Sequence, residues 1–364
     1  MVVLTVIFLL YFLLMVALLV GWKKATNAPS HVVPPKEPLI SVVVPVRNEE
    51  FTIGYLLRDL AQQEYAHFEV IVVNDDSEDE TLWAISQIPL KNLRVIHSKG
   101  KGKKMAISAG VRAAQGSIIV TTDADCSVPA RWLTQIRAQF VDPQVMMVFA
   151  GVRMASTGSF FNQLQKMEFS SLIGSGAAAA GLGAPIMCNG ANLAFRKKVF
   201  FDVKGFDGNT HIPSGDDEFL MRKIQALYPD GIRFVSSPEA IVTTSPQGDL
   251  AAFINQRIRW ASKWRHNSSR VSQLFAVLMV IFQLAFIANW YYIFTPRVLQ
   301  SLFYITIKMI LEAAFLLQVC RFLDMRWRWI SFFSLQVVYP FYVIGIGIAS
   351  FFRPYNWKHR MFKP

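Results

Sequence analysis

The sequence predicts an α/β domain with a mostly parallel sheet, set between transmembrane helices near the two ends of the chain. In the middle of the chain, short β-branched runs alternate with helical patterns of about 10 to 15 residues, which is typical of parallel strands joined by crossover helices. Residues 1–22 carry no charged side chain, and three further apolar segments follow residue 270. A stretch of ~20 apolar residues is long enough to cross the hydrocarbon core of a bilayer.

The composition narrows the class of protein. The 364 residues are 53% hydrophobic and 17% charged, below the ~25% charge of ordinary soluble domains, so the chain is neither disordered nor a simple water-soluble globule. A net charge of +12 suits nucleic acid, an anionic membrane surface or phosphate-bearing substrates. The three cysteines have no metal-ligand spacing and cannot form a disulfide framework, which favours a reducing compartment.

The apolar segments set the expected membrane topology. Residues 1–22 lack the basic start and short apolar core of a signal peptide, so we expect a retained anchor. Two lysines follow at once and place the next segment on the cytoplasmic side. The region 271–352 offers two to three spans. Three spans would leave the basic tail, 353–364, outside, so Pro340 favours a split or re-entrant last segment.

Two charged side chains lie inside the middle apolar segment of the C-terminal region. Lys308 and Glu312 are four residues apart, so on a helix they lie on one face within reach of each other. An intramembrane ionisable residue is a functional candidate by default. A mutually neutralising pair at a helix interface is the alternative.

These patterns divide the chain into six segments. A Pro-rich polar stretch precedes the alternating region, and a basic-aromatic amphipathic stretch follows it. The predicted segments are an N-terminal transmembrane helix (1–22), a linker (23–38), the α/β domain (39–250), an interfacial amphipathic segment (251–270), a C-terminal transmembrane region (271–352) and a basic tail (353–364).

Hydrophobic periodicity predicts the order of elements in the α/β domain. Runs of β-branched residues predict strands, and apolar residues at spacings of three and four predict helices. The predicted strands are Leu39–Pro45, Phe68–Val73, Leu93–His97 and Ser117–Thr122. The predicted helices are Asn48–Gln63, Thr81–Ile88, Lys103–Ala114 and Phe219–Leu227.

Acidic residues follow the ends of predicted strands, which is where ligands bind in parallel α/β sheets. Asp123 and Asp125 come directly after the strand 117–122, and an acidic run begins at Asp75. Crowded carboxylates repel each other, and a hard cation such as Mg²⁺ or Mn²⁺ relieves the repulsion and bridges to a diphosphate. A solvated acidic turn is the alternative. The glycines and lysines of residues 99–104 suit a phosphate.

Three later stretches carry the remaining candidates. Asp216 and Asp217 open a predicted helix, whose N-terminus stabilises a carboxylate charge and keeps it available as a base. The turn at Asn189 and Gly190 is a candidate for binding the acceptor. Residues 256–265 form a basic-aromatic stretch that suits an interfacial helix on anionic lipid, and arginine there can also clamp a leaving phosphate.

In this order the motifs resemble the inverting family-2 glycosyltransferases, which have a GT-A-type nucleotide-sugar domain. The similarity covers about Ile40 to Trp260 and rests on VVVPVRNEE, VVNDDSEDET, GKK…AISAG, TTDAD, NGANLAFRKKVFFDVKGFD, SGDDEFL and QRIRW. The last matches the Gln-x-x-Arg-Trp motif of membrane synthases of cellulose, chitin and hyaluronan and of ceramide glucosyltransferases. Each motif alone is weak, and seven in order are specific.

The resemblance implies a role for each matching residue. Asp217 takes the place of the general base, in a motif that usually reads Glu-Asp and here reads Asp216-Asp217. Asp123 and Asp125 match the diphosphate and metal motif, and Arg259 would stabilise the leaving diphosphate. The other implied substrate-binding residues are Pro45 and Glu49 at the nucleotide base, Asp75 and Lys103 near the nucleotide, and Gln256 and Trp260 in the last motif.

The activity implied by the resemblance is a direct displacement. Asp217 accepts the proton of an acceptor hydroxyl, the oxygen attacks the anomeric carbon opposite the diphosphate, and Mg²⁺ or Mn²⁺ stabilises the leaving group. An α-linked donor, expected to be a UDP-sugar, would give a β-linked product. A chain with so few membrane spans has little material for a polymer channel, so we expect a membrane lipid as the acceptor. We also expect the catalytic domain to lie on the cytoplasmic side of a plasma or inner membrane.

Two other functions stay open. A processive polysaccharide synthase of the cellulose, chitin and hyaluronan type shares the Gln-x-x-Arg-Trp motif. A non-catalytic membrane protein that binds nucleotide sugars is the second alternative, against which the intact acidic clusters count. A nucleic-acid partner is not expected, because the positive charge lies beside membrane segments and phosphate-binding turns. The sequence predicts no particular protein partner.

Overall fold

The chain divides into two compact units, which we describe separately. The sheet unit comprises Lys24–Ala155 and Ala179–Ser245, and the helical unit comprises Met1–Lys23, Ser156–Ala178 and Pro246–Pro364. The computed structural model describes residues 2–27, 37–210, 212, 214–263, 270–358 and 360–362.

Parts of five predicted segments lie outside the described residues. They are residue 1 of the N-terminal helix, 28–36 of the linker, 211 and 213 of the α/β domain, 264–269 of the interfacial segment, and 359 and 363–364 of the basic tail.

The sheet unit is built on strands rich in β-branched residues. Val42, Val43 and Val44 are fully buried, because helices cover both faces of the sheet and leave no polar face to the strand. The strands of this unit are β1 (Ile40–Val46), β2 (Phe68–Asn74), β3 (Leu93–His97), β4 (Ile118–Thr121), β5 (Met147–Ala150), β6 (Val152–Met154), β7 (Leu193–Arg196), β8 (Ile232–Val235) and β9 (Val242–Thr244).

Seven of these strands form one mostly parallel sheet in the order β3-β2-β1-β4-β7-β5-β8. Strand β1 pairs in parallel with β2 and β4, and β7 runs antiparallel to β4 and β5. Strands β6 and β9 form a separate parallel pair. The predicted fold class is confirmed, and the parallel order brings the carboxyl ends of β1, β2 and β4 to one edge.

The helices follow the predicted periodicity. Helices α2 to α5, α7 and α8 belong to the sheet unit, and α9 to α12 belong to the helical unit. In chain order the helices are α1 (Val2–Thr26), α2 (Ile53–Ala61), α3 (Thr81–Ser86), α4 (Lys103–Ala113), α5 (Trp132–Gln139), α6 (Phe160–Gly181), α7 (Lys197–Asp202), α8 (Asp216–Leu227), α9 (Leu250–Ser262), α10 (Arg270–Tyr291), α11 (Val298–Phe322) and α12 (Trp329–Phe352).

Helix α2 begins five residues later than the predicted start at Asn48. Tertiary hydrogen bonds hold the preceding residues in a turn: the N–H of Glu49 donates to Thr81 Oγ1 at 2.7 Å, and the N–H of Glu50 donates to Asp79 Oδ2 at 3.2 Å. Asn48 itself has a positive φ of 52°, which a helix does not allow. The apolar periodicity therefore predicted the helix correctly but placed its start five residues too early.

Among the described residues, four helices are long and apolar enough to cross a membrane. They are α1, α10, α11 and α12, with mean hydropathies between 1.7 and 3.1. Helix α12 runs unbroken from Trp329 to Phe352 with Pro340 inside it, so the expected split at this proline is wrong. Proline is tolerated inside transmembrane helices where neighbouring groups satisfy the freed backbone carbonyl. A short hairpin of β10 (Tyr355–Trp357) and β11 (Arg360–Phe362) follows α12.

The predicted intramembrane ion pair is present in the helical unit. Lys308 Nζ lies 2.8 Å from Glu312 Oε1, and both side chains are shielded from water. Gln336 Nε2 of α12 donates to Glu312 Oε2 at 2.8 Å, and the hydroxyl of Tyr11 on α1 donates to Glu312 Oε1. The pair is therefore a satisfied polar network that joins α1, α11 and α12.

Breaking this pair is expected to destabilise the helical unit. Lys308→Met leaves the Glu312 carboxylate shielded and without its cation, which costs about 3 to 5 kcal/mol for a buried pair. The unfolding midpoint in detergent should fall for Lys308→Met and recover in the double variant Lys308→Met/Glu312→Leu. Lys91→Met, at an exposed lysine of the sheet unit, is the control. Equal midpoints for Lys308→Met and the unmodified chain would contradict this structural role.

Candidate active site

Three elements of the sheet unit bring charged side chains together. Lys103 opens α4, Asp123 lies two residues beyond β4, and Asp216 is the first residue of α8. Lys103 Nζ lies 2.6 Å from Asp123 Oδ1 and 3.3 Å from Asp216 Oδ2, so one ammonium group binds both carboxylates. We name Lys103, Gly190, Asp123, Asp216 and Asp217 the carboxylate cluster. These residues are up to 114 positions apart in the sequence, between Lys103 and Asp217.

Gly190 and the start of α8 hold the carboxylate of Asp217. The N–H of Gly190 donates to Asp217 Oδ2 at 3.1 Å, and the N–H of Glu218 donates to Oδ1 at 2.7 Å. A Cβ atom on Gly190 would lie 3.1 Å from Asp216 Oδ2 and 3.4 Å from Lys103 Nζ, closer than most side chains approach. A side chain at this position would therefore crowd Asp216 and Lys103, and both oxygens of Asp217 are held by backbone donors.

The charges of the cluster are coupled. Burial favours the neutral form of Lys103, but the carboxylates of Asp123 and Asp216 outweigh it and raise the pKa of Lys103 well above its usual value. Burial would likewise raise the pKa of Asp216, but Lys103 and the helix N-terminus outweigh it, so the pKa of Asp216 lies below its usual value. Both groups are therefore charged at neutral pH.

Asp75 fixes the loop that leads to Lys103. Its two carboxylate oxygens accept the N–H of Gly102 at 2.9 and 3.0 Å, and Asp75 is only 3% exposed. Gly102 has a φ of 99°, a conformation that favours glycine, and it directly precedes α4. Asp75 thereby positions Lys103 through the backbone, a contact that the sequence did not predict.

The other candidates of the sheet unit lie at strand ends or turns. Pro45 stands inside β1 opposite Val73, and Glu49 follows β1, where its carboxylate accepts the hydroxyl of Thr52 at 2.8 Å. Asn189 precedes Gly190, and its side chain accepts the N–H of Ala191 at 2.9 Å. Asn189 thus shapes the turn that presents Gly190.

Asp125 lies two residues beyond Asp123 and contacts Thr244 and Cys126. Its carboxylate accepts the Thr244 hydroxyl at 3.5 Å and the Cys126 thiol at 3.7 Å. Burial, with the nearby carboxylates, raises the pKa of Cys126, so this thiol stays neutral. Cys126, Cys188 and Cys320 are free thiols.

The residues present fit a divalent cation that arrives with a phosphate ligand. Within the described ranges, no three His, Cys, Asp or Glu side chains converge into a complete metal site. Asp123 nevertheless already binds a cation, the ammonium of Lys103 at 2.6 Å. Mg²⁺ commonly takes only one or two protein carboxylates and completes its shell with water and phosphate oxygens, and Asp123 and Asp125 provide such a set.

The last motif lies on α9 of the helical unit, which carries Gln256, Arg259 and Trp260. The residue between Gln256 and Arg259 that sequence reasoning missed is Arg257, only 3% exposed. Its guanidinium lies 4.3 Å from the centre of the Trp260 ring and donates to Gln256 Oε1. Glu168 of α6 binds Arg257 Nη2 at 2.5 Å and Nε at 3.1 Å. The buried Glu168–Arg257 pair therefore helps to position Gln256 and Trp260, two of the predicted binding residues.

Two more residues that sequence reasoning missed support the cluster. Lys104 Nζ donates to the carbonyls of Asn209 and Ile212 at 2.8 and 2.9 Å, and so holds the loop before α8. Arg47 donates to the carbonyl of Asp75 at 2.9 Å. No periodicity predicts these contacts, because each joins a charged side chain to a carbonyl far along the chain.

A comparison of the sequence with known families finds a match over part of the chain. Residues 41–203, less than half of the 364 residues, match the profile of glycosyl transferase family 2. The match begins in β1 and ends just beyond α7, so it includes Asp75, Lys103, Asp123 and Gly190 of the site described above.

Curated relatives match about three fifths of the chain at modest identity. A poly-β-1,6-N-acetyl-D-glucosamine synthase of Staphylococcus aureus (strain COL) is 27% identical over 226 residues, which cover 61% of this chain and 53% of that protein. An N-acetylglucosaminyltransferase of Rhizobium meliloti (strain 1021) is 24% identical over 238 residues, covering 62% and 55%. The chain spans about half the length of the curated relatives it matches.

A solved structure has the same fold over most of the chain. The mannosyltransferase from Pyrobaculum calidifontis, solved in complex with GDP-Man and Mn²⁺, aligns with a TM-score of 0.61 and 20% identity over 96% of this chain and 95% of that one. The likeness establishes the GT-A-type fold predicted from the motifs.

The Glu168–Arg257 pair yields a prediction for the last motif. Glu168→Gln leaves the guanidinium of Arg257 buried without a counter-charge, which costs about 3 to 5 kcal/mol. We expect a lower unfolding midpoint in detergent and a large loss of glycosyl transfer. Glu168→Asp should restore part of both. Tyr342→Phe removes only a 3.1 Å hydrogen bond to Glu168 and should have a smaller effect. A Glu168→Gln variant as stable and active as the unmodified chain would contradict the prediction.

Proposed function

We propose that the chain is an inverting, metal-dependent glycosyltransferase that moves a sugar from a nucleoside diphosphate sugar to a hydroxyl of a membrane lipid, forming a β-linked glycolipid. The observation that carries this proposal is the carboxylate cluster, in which Lys103 binds Asp123 and Asp216 beside Asp217. It lies at the carboxyl edge of a parallel sheet, where α/β folds bind nucleotides. The family match over residues 41–203 supports the reaction class.

In this proposal Asp217 is the general base. Its two oxygens accept backbone N–H groups, which favours the ionised carboxylate, the form that can take the proton of an acceptor hydroxyl. The hydroxyl oxygen then forms a bond to the anomeric carbon as the bond to the diphosphate breaks. Because attack comes from the face opposite the diphosphate, an α-linked donor gives a β-linked product.

The leaving diphosphate requires positive charge. Lys103 supplies an ammonium at the cluster, and Asp123 and Asp125 would hold Mg²⁺ or Mn²⁺, which neutralises phosphate charge when bound. Arg259 is the proposed second cation. Substrate binding is assigned to three groups of residues. They are Pro45, Glu49 and Asp75 at the nucleotide, Asn189, Gly190 and Asp216 at the sugar and acceptor, and Gln256 and Trp260 in the last motif.

The attachment of α9 to α12 supports a lipid acceptor. Asn255 of α9 donates to the carbonyl of Asn356 at 2.7 Å and accepts its N–H at 3.0 Å, just beyond the end of α12. The Phe253 ring stacks on Tyr342 of α12 with centroids 5.7 Å apart. The helix with the last motif is thus bonded to a helix apolar enough to span a membrane. The proposed cytoplasmic side for the α/β domain rests on Lys23 and Lys24, which lie at the end of α1.

A processive polysaccharide synthase is the second candidate. It is favoured by the two curated relatives, whose names describe polymer synthesis and N-acetylglucosaminyl transfer. Both functions share the donor chemistry and differ in the acceptor, which is either one lipid hydroxyl or the end of a growing chain.

One experiment separates the two candidates. The purified full chain in nanodiscs is given radiolabelled UDP- and GDP-sugars in turn, total lipid extract, and Mg²⁺ or Mn²⁺. A single labelled band that partitions into organic solvent is expected. A ladder of water-soluble products of high mass would support the polysaccharide synthase. EDTA should abolish both products, and excess Mg²⁺ or Mn²⁺ should restore them. Product with EDTA would contradict the metal assignment, and no product with any donor would contradict the proposed activity.

A further inference from the structure

The helical unit contains an open apolar groove between α9 and α12. Its volume is about 520 Å³, within the range of about 300 to 1,000 Å³ that small-molecule sites occupy. The lining includes Ile254 of α9 and, on α12, Phe341, Gly345, Ile348 and Phe352, with Arg353 at one end. The groove is therefore apolar along its length and cationic at one end.

Glycine keeps the groove open. A Cβ atom on Gly345 would meet nothing within 4 Å, so the space beside this residue is empty. The two helices are tied together, because the hydroxyl of Tyr342 on α12 donates to Glu168 at 3.1 Å, and Glu168 in turn binds Arg257 of α9. The groove is thus a built feature between two helices that are tied together.

The position of Arg353 identifies the kind of molecule that fits. Arg353 directly follows α12, a helix of 24 residues that is apolar enough to span a membrane. A cation at the end of such a helix lies at the depth of lipid headgroups, where arginine binds phosphate oxygens. An apolar groove that ends at such a cation is complementary to an acyl chain below an anionic headgroup.

We propose that this groove binds the acyl chain of the lipid acceptor, with Arg353 beside an anionic headgroup. The proposal rests on the proposed function, because the acceptor assignment requires a lipid substrate. The groove shares Ile254 with α9, so the bound lipid lies against the helix that carries Gln256, Arg259 and Trp260.

The test fills the groove at Gly345 and compares Gly347 as a matched control. Both glycines lie on α12, both have open space at the Cβ position, and Gly347 is not part of the groove lining. The full chain is placed in nanodiscs of phosphatidylcholine that contain phosphatidylglycerol with a diazirine in its acyl chain. Cross-linked peptides are then located and quantified by mass spectrometry.

We expect labelling of residues 341–353 and of the segment around Ile254 in the unmodified chain and in Gly347→Leu. Gly345→Leu should reduce this labelling about tenfold, which corresponds to about 1.4 kcal/mol of lost binding. Arg353→Gln should lower the preference for phosphatidylglycerol over a phosphatidylcholine probe about fivefold, as expected for one cation near the surface. Equal labelling of the two leucine variants, or cross-links to a second copy of the chain in place of lipid, would overturn the groove assignment.

Activity separates failure of this inference from failure of the proposed function. Gly345→Leu should lower transfer to lipid about tenfold and leave hydrolysis of the donor sugar by water unchanged. Loss of lipid labelling with unchanged transfer to lipid would overturn the acceptor assignment. If the unmodified chain neither transfers nor hydrolyses any donor, the proposed function fails, and the cross-linking result still decides whether the groove binds lipid.

Discussion

Asp217→Asn is expected to retain binding of the nucleotide sugar and to lose its transfer to the acceptor. The amide cannot take a proton from a hydroxyl, so the rate should fall by about 10²- to 10⁴-fold, the usual contribution of a general base. The side chain keeps its size and one oxygen that can accept the N–H of Gly190 or Glu218. Donor affinity by calorimetry and transfer by product formation measure the two effects separately.

The control for this variant is Asp230→Asn, at an exposed aspartate of the same unit. It changes the net charge equally and should leave binding and transfer unchanged. The unfolding midpoint of Asp217→Asn must match that of the unmodified chain for the comparison to report on chemistry. Normal turnover by a folded Asp217→Asn protein would remove Asp217 as the base.

Lys103→Met is expected to weaken donor binding and to move its pH dependence. The loss of a charged partner for phosphate should lower affinity about ten- to a hundredfold. Lys103 holds the pKa of Asp216 below its usual value against the effect of burial. Without Lys103 the largest effect that opposes burial is lost, so the pKa of Asp216 rises and a higher pH is needed to ionise it. The acidic limb of the binding curve should therefore move to higher pH.

The matched control is Lys101→Met, two residues earlier in the same glycine-lysine loop, where the side chain is exposed. It should leave the position of the acidic limb unchanged. Donor binding measured by calorimetry from about pH 3 to about pH 8, a range that extends below the ordinary carboxylate pKa of ~3.9, defines the limb. An unmoved limb in Lys103→Met would contradict the coupling between Lys103 and Asp216.

Local patterns determined most of the fold. The β-branched runs around Val42 to Val44 and the apolar periodicity of α4 predicted these elements to within one or two residues, because burial on a sheet or helix face imposes a fixed spacing. The apolar helices were predicted for the same reason, since the thickness of a bilayer sets their length. The first turn of α2 was not, because contacts with Thr81 and Asp79 decide it.

The candidate site was predicted only as separate motifs. Asp123 and Asp216 could be singled out because strand ends and helix starts concentrate function, but their common partner could not. Nothing in the spacing of residues 99–104 says which lysine bridges them. The structure assigns Lys103 to that position and Lys104 to two carbonyls. In the same way, Glu168 carries no signal in the sequence that links it to Arg257.

The sequence alone therefore determined strands β1 to β4, helices α2 to α4 and α8, the apolar helices and the acidic motifs, since each depends on the spacing of neighbouring residues. It did not predict β5 to β9 or α5 to α7. Tertiary structure alone decided that one ammonium joins Asp123 to Asp216 and that the backbone of Gly190 holds Asp217. Such contacts join residues many tens of positions apart, and their geometry depends on how strands and helices pack rather than on any local pattern.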